Sequence, residues 1–357
     1  MDSIDTLFRK RLVVCVGCGG VGKTTTAAAL ALAGAQRGRR TAVITVDPAR
    51  RLKDALGLAT LSVEPHRVVV GDVHFDALAL DTKHAFDALI QRVAPTRAAA
   101  QRILANRLYQ ELSTELAGSA EYMAMEKLHE LLHLHRYQLV IVDTPPSAHV
   151  RDLLAAPNRL INLLASRAVS LLQAPASLLG AGSVTGRVTL GALLKVLQRW
   201  TGLDLLRDLA DFVTAFEHLT EGFTVRAEEV GRLLHAPTTA FVLVTSPDPH
   251  TADLAGAFHR ELAAGKFPIA GIIANRVVAF PRLRDQAAAV AGWDEPMRGR
   301  LLENYAALLR LSRRDRRTVR RLQDTTGAPL LAAVPAITNA PTSLAGLVDF
   351  AQLLVPA

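Results

Sequence analysis

The stretch GCGGVGKTTT, Gly17 to Thr26, restricts what this chain can fold into more than any other. Gly17, Gly22, Lys23 and Thr24 satisfy the pattern G-x-x-x-x-G-K-[ST]. The residues before it, RLVVCVG, form an apolar, β-branched run that predicts a buried parallel strand. Those after it are alanine-rich with helical character, and Gly38 suits the position just past a helix end. A strand, a glycine loop and a helix N-terminus in that order make a phosphate cradle. Glycines let backbone N–H groups close around oxygens, and the helix end adds positive potential. The expected nucleotide-binding residues are Gly17, Cys18, Gly19, Gly20, Val21, Gly22, Lys23, Thr24 and Thr25. Lys23 would bridge the β- and γ-phosphates of ATP as a catalytic group, with ADP the other nucleotide expected in the loop, and the Thr24 hydroxyl would reach Mg²⁺.

The alternation continues along the chain. RRTAVITVD (39–47) is a second buried strand, and DPARRLKDALGL follows it with Asp47 placed as an N-cap and Pro48 at the first helical position. Further strand candidates span 73–80, 137–143, 238–246, 267–275 and 329–336, with long helical stretches at 83–135 and 151–235. This succession predicts an α/β fold with a doubly wound, mainly parallel sheet and right-handed crossovers. The second helical stretch is longer than one crossover needs. The expected division is a nucleotide-binding core whose first part is 1–150, an inserted helical subdomain at 151–236 that meets a client or partner, and the rest of the core at 237–357.

Two aspartates end predicted strands at the carboxyl edge, where open parallel sheets bind ligands. Asp143 closes LVIVD before TPPS and is expected to hold Mg²⁺ through water. Asp47 has two readings from local sequence, a helix start before Pro48 or a group that orients an attacking water. HELLH, His129 to His133, matches H-E-x-x-H, which can bind zinc on a helix. No third ligand is evident in the sequence, so a solvated helix face is expected there. Cys15 and Cys18 form C-x-x-C, yet one lies in a predicted buried strand and the other in the phosphate loop. Small packing residues are expected rather than a redox or metal pair.

Composition narrows the function classes. Two cysteines in 357 residues argue against a disulfide framework and for a reducing, cytoplasmic setting. The start, MDSIDTLFRKRL, has no apolar stretch of signal length, so the chain is read as unprocessed. The formal charge of +8 is mostly arginine, densest in RLSRRDRRTVRRL, Arg310 to Leu322. That segment is either a solvated helix or a surface for an anionic partner, and without interleaved aromatics nucleic acid is the weakest choice. The run nearest to a membrane span, AVSLLQAPASLLGAGSVTG (168–186), is uncharged but carries Gln173 and Pro175, which argues against membrane insertion. It is nonetheless apolar for a surface segment. The ending SLAGLVDFAQLLVPA has no lysine or arginine and suits a helix packed on the sheet rather than one lying on a membrane.

Together, GCGGVGKTTT, VDPARRL, VDTPPSAHVRDLL and IIANR resemble the arsenical-pump ATPase (ArsA) and guided-entry targeting family. That family lies within the deviant Walker A class of P-loop NTPases, with the MinD and ParA proteins. NRLYQELSTELAGSAEYMAMEKLHEL is similar to the bacterial ArsA-like branch, the anion-transporting ATPases. The resemblance implies that Asp47 is the switch I aspartate that polarises the attacking water. It implies that Asp143, Pro146 and His149 belong to switch II and that Asn275 contacts adenine. It also implies a nucleotide-gated dimer, of identical chains or with a related subunit.

The departures matter equally. The family's loop has a lysine second, which reaches across the dimer to the partner's phosphates, and this chain has Cys18. Loss of such a charge slows phosphoryl transfer by orders of magnitude. Slow turnover, a substituting arginine such as Arg50 or Arg51, or a lysine-bearing partner subunit would each follow. No thiol cluster exists outside the loop region for arsenite, and the zinc-binding C-x-x-C that joins the eukaryotic targeting factors is missing. The expected function is a Mg-dependent ATPase, cytoplasmic or peripheral to a membrane. It would act as a dimeric switch on a protein or membrane partner, including hydrophobic segments held by the 155–235 helices. One rival is the ATPase subunit of a membrane anion efflux pump, and another is a weakly hydrolysing scaffold or positioning protein.

Overall fold

The computed structural model describes residues 4–46, 51–93, 96–105, 119–133, 136–145, 154–155, 224–278, 294–337 and 343–356. Its strands are β1 (Leu12–Val16), β2 (Thr41–Thr45), β3 (His66–Val70), β4 (Val73–Ala79), β5 (Leu139–Asp143), β6 (Thr239–Thr245), β7 (Ile269–Val277) and β8 (Leu330–Pro335). The helices, in chain order, are α1 (Lys23–Gln36), α2 (Arg51–Ala55), α3 (Thr82–Val93), α4 (Arg97–Ala105) and α5 (Ser119–His133). They continue with α6 over 224–235, α7 (Pro249–Ala264), α8 (Glu295–Thr326) and α9 (Leu344–Leu354).

All eight strands form one sheet in the order β3-β4-β2-β5-β1-β6-β7-β8. Every neighbouring pair is parallel except β3 with β4. The β-branched, uninterrupted apolar runs read from the sequence are the strands of this parallel sheet. β1 lies between β5 and β6, so the winding reverses beside it and the carboxyl ends of β1, β2 and β5 gather at one edge. Both faces of β1 are covered. Val13 and Cys15 cluster with α1 residues, while Leu12, Val14 and Val16 alternate to the other face and are equally buried.

α1 is apolar on every side because it lies inside, with Thr26 to Ala35 buried. A Cβ on Gly34 would come within 2.8 Å of Leu139 Cδ2, so this helix rests close on β5. Gly38 ends α1 as expected. α9 starts at Ser343, whose hydroxyl accepts from the Gly346 N–H at 3.3 Å, and it packs on α1 as well as on β8. In α8 the buried residues Ser312, Asp315, Val319 and Leu322 form one stripe, and the arginines from 310 to 321 are exposed. The basic cluster is thus the outer face of a packed helix. No helix among the described residues is long and apolar enough to cross a membrane.

Sequence reading missed β3. Its burial is slight and among the described residues it pairs with β4 alone, to which it is joined by the two-residue turn Gly71–Asp72. The signal was HRVVV, then a glycine turn, then VHF, a hairpin pattern in a stretch scanned for parallel strands.

The chain divides into two compact units. One comprises Met1–Ala79, Leu134–Val150 and Leu234–Ala357 and holds the whole sheet. The other comprises Leu80–His133 and Arg151–Leu233; its described helices are α3, α4, α5 and the first part of α6. The uncharged run 168–186 lies outside the described residues.

Candidate functional site

The glycine loop joins the end of β1 to the start of α1. Gly17 has φ +150°, and a Cβ there would collide with the carbonyl oxygen of Val244 in β6. Gly22 has φ +94°, and a Cβ there would collide with the Asn275 side-chain amide. Both positions therefore require glycine, on space as well as on backbone conformation. Gly22 is the N-cap of α1, which has no side-chain cap and no acidic residue in its first turn. Gly19 and Gly20 are exposed and Thr24 and Thr25 partly so, which leaves this helix end facing outward and electropositive.

Lys23 is buried, only 6% exposed, and its Nζ donates to the Cys18 carbonyl at 2.8 Å, folding the side chain across the loop. Asp143 is fully buried at the end of β5, level with Cys15 of β1 and Thr45 of β2. The Thr45 hydroxyl donates to Asp143 Oδ2 at 2.9 Å, and Val46 N–H donates to the Asp143 carbonyl at 3.0 Å. The Thr144 hydroxyl donates to the Cys15 carbonyl at 2.8 Å and fixes the chain leaving β5 against β1. Burial pushes the Cys15 thiol far up, the Asp143 charge pushes it further, and Lys23 opposes them. The register of Asp143 against Cys15 and the bond from Lys23 to Cys18 put the acid and the lysine near the same strand end.

A sequence model of the anion-transporting ATPase family matches residues 10–298. The chain belongs to that family. It is 34% identical over 143 residues to "ATPase ASNA1 homolog 1" of Paramecium tetraurelia, covering 40% of this chain and 42% of the relative. It is 32% identical over 167 residues to "Protein Rv2184c" of Mycobacterium tuberculosis, covering 44% and 40%. It is 27% identical over 236 residues to "ATPase GET3" of Kluyveromyces lactis, covering 63% and 62%. The chain thus spans less than two thirds of the length of each of these relatives.

In this anion-transporting ATPase family member, the second loop position is neutral and turned inward. Cys18 is 8% exposed and packs with the core cluster that includes Val21 and Ala27. Cys15 and Cys18 are both buried free thiols, in keeping with packing roles. Asn275, at 5% exposure, donates its amide to the Val21 carbonyl at 2.9 Å and accepts the Arg276 N–H at 2.9 Å. It ties β7 to the loop from the side opposite Asp143 in the strand order. Asp47, Arg50, Pro146 and His149 lie outside the described residues, and Arg51 is exposed at the start of α2.

Sequence reading missed Thr45 and Thr144. Their hydroxyls position the acid and the strand ends, a role visible only once β1, β2 and β5 are neighbours. It also missed the partner of HELLH. His129 is 15% exposed and meets Glu229 of α6, so this is not simply a solvated helix face.

Proposed function

We propose that this chain is a Mg-dependent ATPase that works as a nucleotide-gated dimeric switch on a protein or membrane partner. The observation that carries the reading is the loop itself, in which two glycines forbid a Cβ beside an uncapped helix N-terminus and a buried lysine. The donor set fits the expected ligands. Backbone N–H groups of the loop and Lys23 suit phosphate oxygens, and the hydroxyl of Thr24, with the carboxylate of Asp143 acting through water, supplies the hard oxygens that would hold Mg²⁺. Mg²⁺, when bound, neutralises charge on the β- and γ-phosphates.

Each residue then has a task. The loop N–H groups orient the triphosphate, and Lys23 stabilises charge that develops on it. Thr45 holds the Asp143 carboxylate in place for a water of the metal shell. By family resemblance, Asp47 polarises the attacking water and Asn275 contacts the base. The family resemblance and the uncharged run 168–186 support hydrophobic segments as the client.

One observation favours a second reading, a weakly hydrolysing scaffold. Cys18 supplies no cation where the family has a lysine, and it points into the core. Steady-state ATP hydrolysis by the wild type, Cys18→Lys and Lys23→Ala separates the two. The ATPase reading expects turnover that Lys23→Ala lowers at least about a hundredfold, the scale of removing one preorganised charge. Equal rates in the wild type and Lys23→Ala would refute it. Near silence in the wild type with rescue by Cys18→Lys would support the scaffold, or a partner subunit that brings the lysine.

A further inference from the structure

We propose that His129, His133 and Glu229 form a binding site for one borderline divalent cation of the Zn²⁺ class, which clamps α5 to α6. This inference is independent of the nucleotide site. His129 and His133 stand one helical turn apart on α5, on one face. Their Nε2 atoms lie 2.6 Å and 3.2 Å from the same oxygen, Oε2 of Glu229, and the three ligand atoms lie within 4.8 Å of one another. The imidazole rings are stacked, with centroids 3.9 Å apart and 18° between planes, and both Nε2 atoms lie on the Glu229 side, so a shared cation would tilt the rings toward each other.

A carboxylate needs only one imidazole for an ion pair. Two stacked imidazoles sharing one oxygen are what a metal's ligands look like before the metal separates them. Zinc bonds of about 2.0–2.1 Å in a tetrahedron put ligand atoms roughly 3.3 Å apart, so a cation would spread the nitrogens from the Glu229 oxygen by less than about 1 Å. Imidazole nitrogen with carboxylate oxygen suits Zn²⁺ and its neighbours in the first transition row rather than Mg²⁺ or Ca²⁺. Three protein ligands leave a fourth position for water.

The seam is already built for a fixed spacing. Arg226 of α6 donates to Glu126 of α5 at 2.6 Å, and Glu126 is buried. His129 and Glu229 thus follow this ion pair by one turn of their helices, and His133 follows it by two. The glutamate of the motif itself, Glu130, accepts from Lys127 at 3.0 Å, so it is engaged on its own helix and the site is a clamp rather than a hydrolytic zinc centre. Among nearby charges, the two histidines and Arg232 act on the Glu229 carboxylate. A cation would replace the proton between His129 and Glu229. The chain passes from α5 to β5 and from α6 to β6, the two strands that flank β1. The clamp therefore joins the two helices from which the chain enters the strands beside the nucleotide loop.

The test uses the full chain without a histidine tag, stripped of metal and free of nucleotide, titrated with Co²⁺ and then with Zn²⁺. The expected result is one Co²⁺ per chain with visible bands of nitrogen and oxygen ligation, displaced by Zn²⁺, and no thiolate-to-cobalt band. His133→Ala and Glu229→Ala, both at partly exposed side chains, should each weaken binding at least about tenfold. Zn²⁺ should raise the thermal midpoint of the wild type and of Cys18→Ser but not of His133→Ala. Binding by the His129→Ala/His133→Ala double variant equal to the wild type, or a cobalt–thiolate band lost in Cys18→Ser, would overturn the proposal. So would a wild type that binds no Co²⁺ at all, which would leave the cluster as an ion pair.

Discussion

Asp143 and Asp76 are two carboxylates buried in the same sheet, at 0% and 6% exposure, and they stand at opposite ends of it. Asp76 pairs across β2 with Ala42, near that strand's start, whereas Asp143 pairs with Thr45 at its end. Asp76 accepts from Tyr137 at 2.6 Å and from Arg136 at 3.3 Å, with Arg67 at 4.0 Å. Its charge is answered by a phenol and two guanidinium groups of the same unit. Asp143 is held by a threonine hydroxyl beside the glycine loop and a helix N-terminus. Residue type and burial are the same, so position along the strand decides the role. The carboxyl edge collects loops that hold ligands, and the other edge receives chain that must be pinned.

The largest expected effect breaks this comparison at its first member. Asp143→Asn keeps the shape and removes the charge, so ATP hydrolysis should fall at least about a hundredfold. Asp76→Asn should leave hydrolysis within about threefold of the wild type and instead cost about 1–3 kcal/mol in stability, because two guanidinium groups lose their anion. Paired hydrolysis assays and denaturant titrations of the two variants check this. If Asp143→Asn lost stability and kept turnover, the two acids would have to exchange roles.

The next effect sharpens why the carboxyl edge binds at all. Gly22→Ala places a side chain at φ +94° against the Asn275 amide, and such backbone strain costs about 1–3 kcal/mol. Asn275→Ala removes the obstacle but also the tie to Val21, so the double variant should be more stable than the sum of the two single costs allows. Urea unfolding of the four proteins in the cycle gives the coupling. A strictly additive cycle would mean that Asn275 is not the obstacle to a side chain at Gly22.

The two edges were unequally legible in the sequence. At the carboxyl edge Gly17, Lys23 and Asp143 announce themselves, because glycine spacing and a strand-ending aspartate are local patterns with a chemical reason. At the other edge, Asp76, Arg67, Arg136 and Tyr137 come from three segments, and it takes the β3–β4 hairpin with the β2–β4 and β2–β5 pairings to bring them together. The strands of the parallel sheet were readable because burial on both faces demands unbroken apolar runs. β3 escaped because an edge strand carries no such demand. Glu229 escaped for the same reason as Thr45. Its partners His129 and His133 are distant in sequence, and nothing around residue 229 marks it as more than a charged position on a helix.

The smallest effect concerns the pinned end alone. Tyr137→Phe deletes the hydrogen bond to Asp76 while leaving Arg136 and Arg67 in place, so the cost should be about 1–2 kcal/mol, the low end for a bond to a charged group. Burial raises the Tyr137 phenol above its ordinary 10.0, and the hydrogen bond to Asp76 and then that residue's charge raise it further. A group whose folded-state value is raised gives its full stabilisation below the unfolded value and loses it as pH climbs toward the folded one. The stability gap between the wild type and Tyr137→Phe should therefore be constant up to about pH 9 and shrink above pH 10. Comparing the two proteins at each pH cancels the titration of the other tyrosines and lysines. A gap that instead widened in alkali would place the proton on the Asp76 side of the bond, and Asp76 would no longer be the charged counterpart of Asp143.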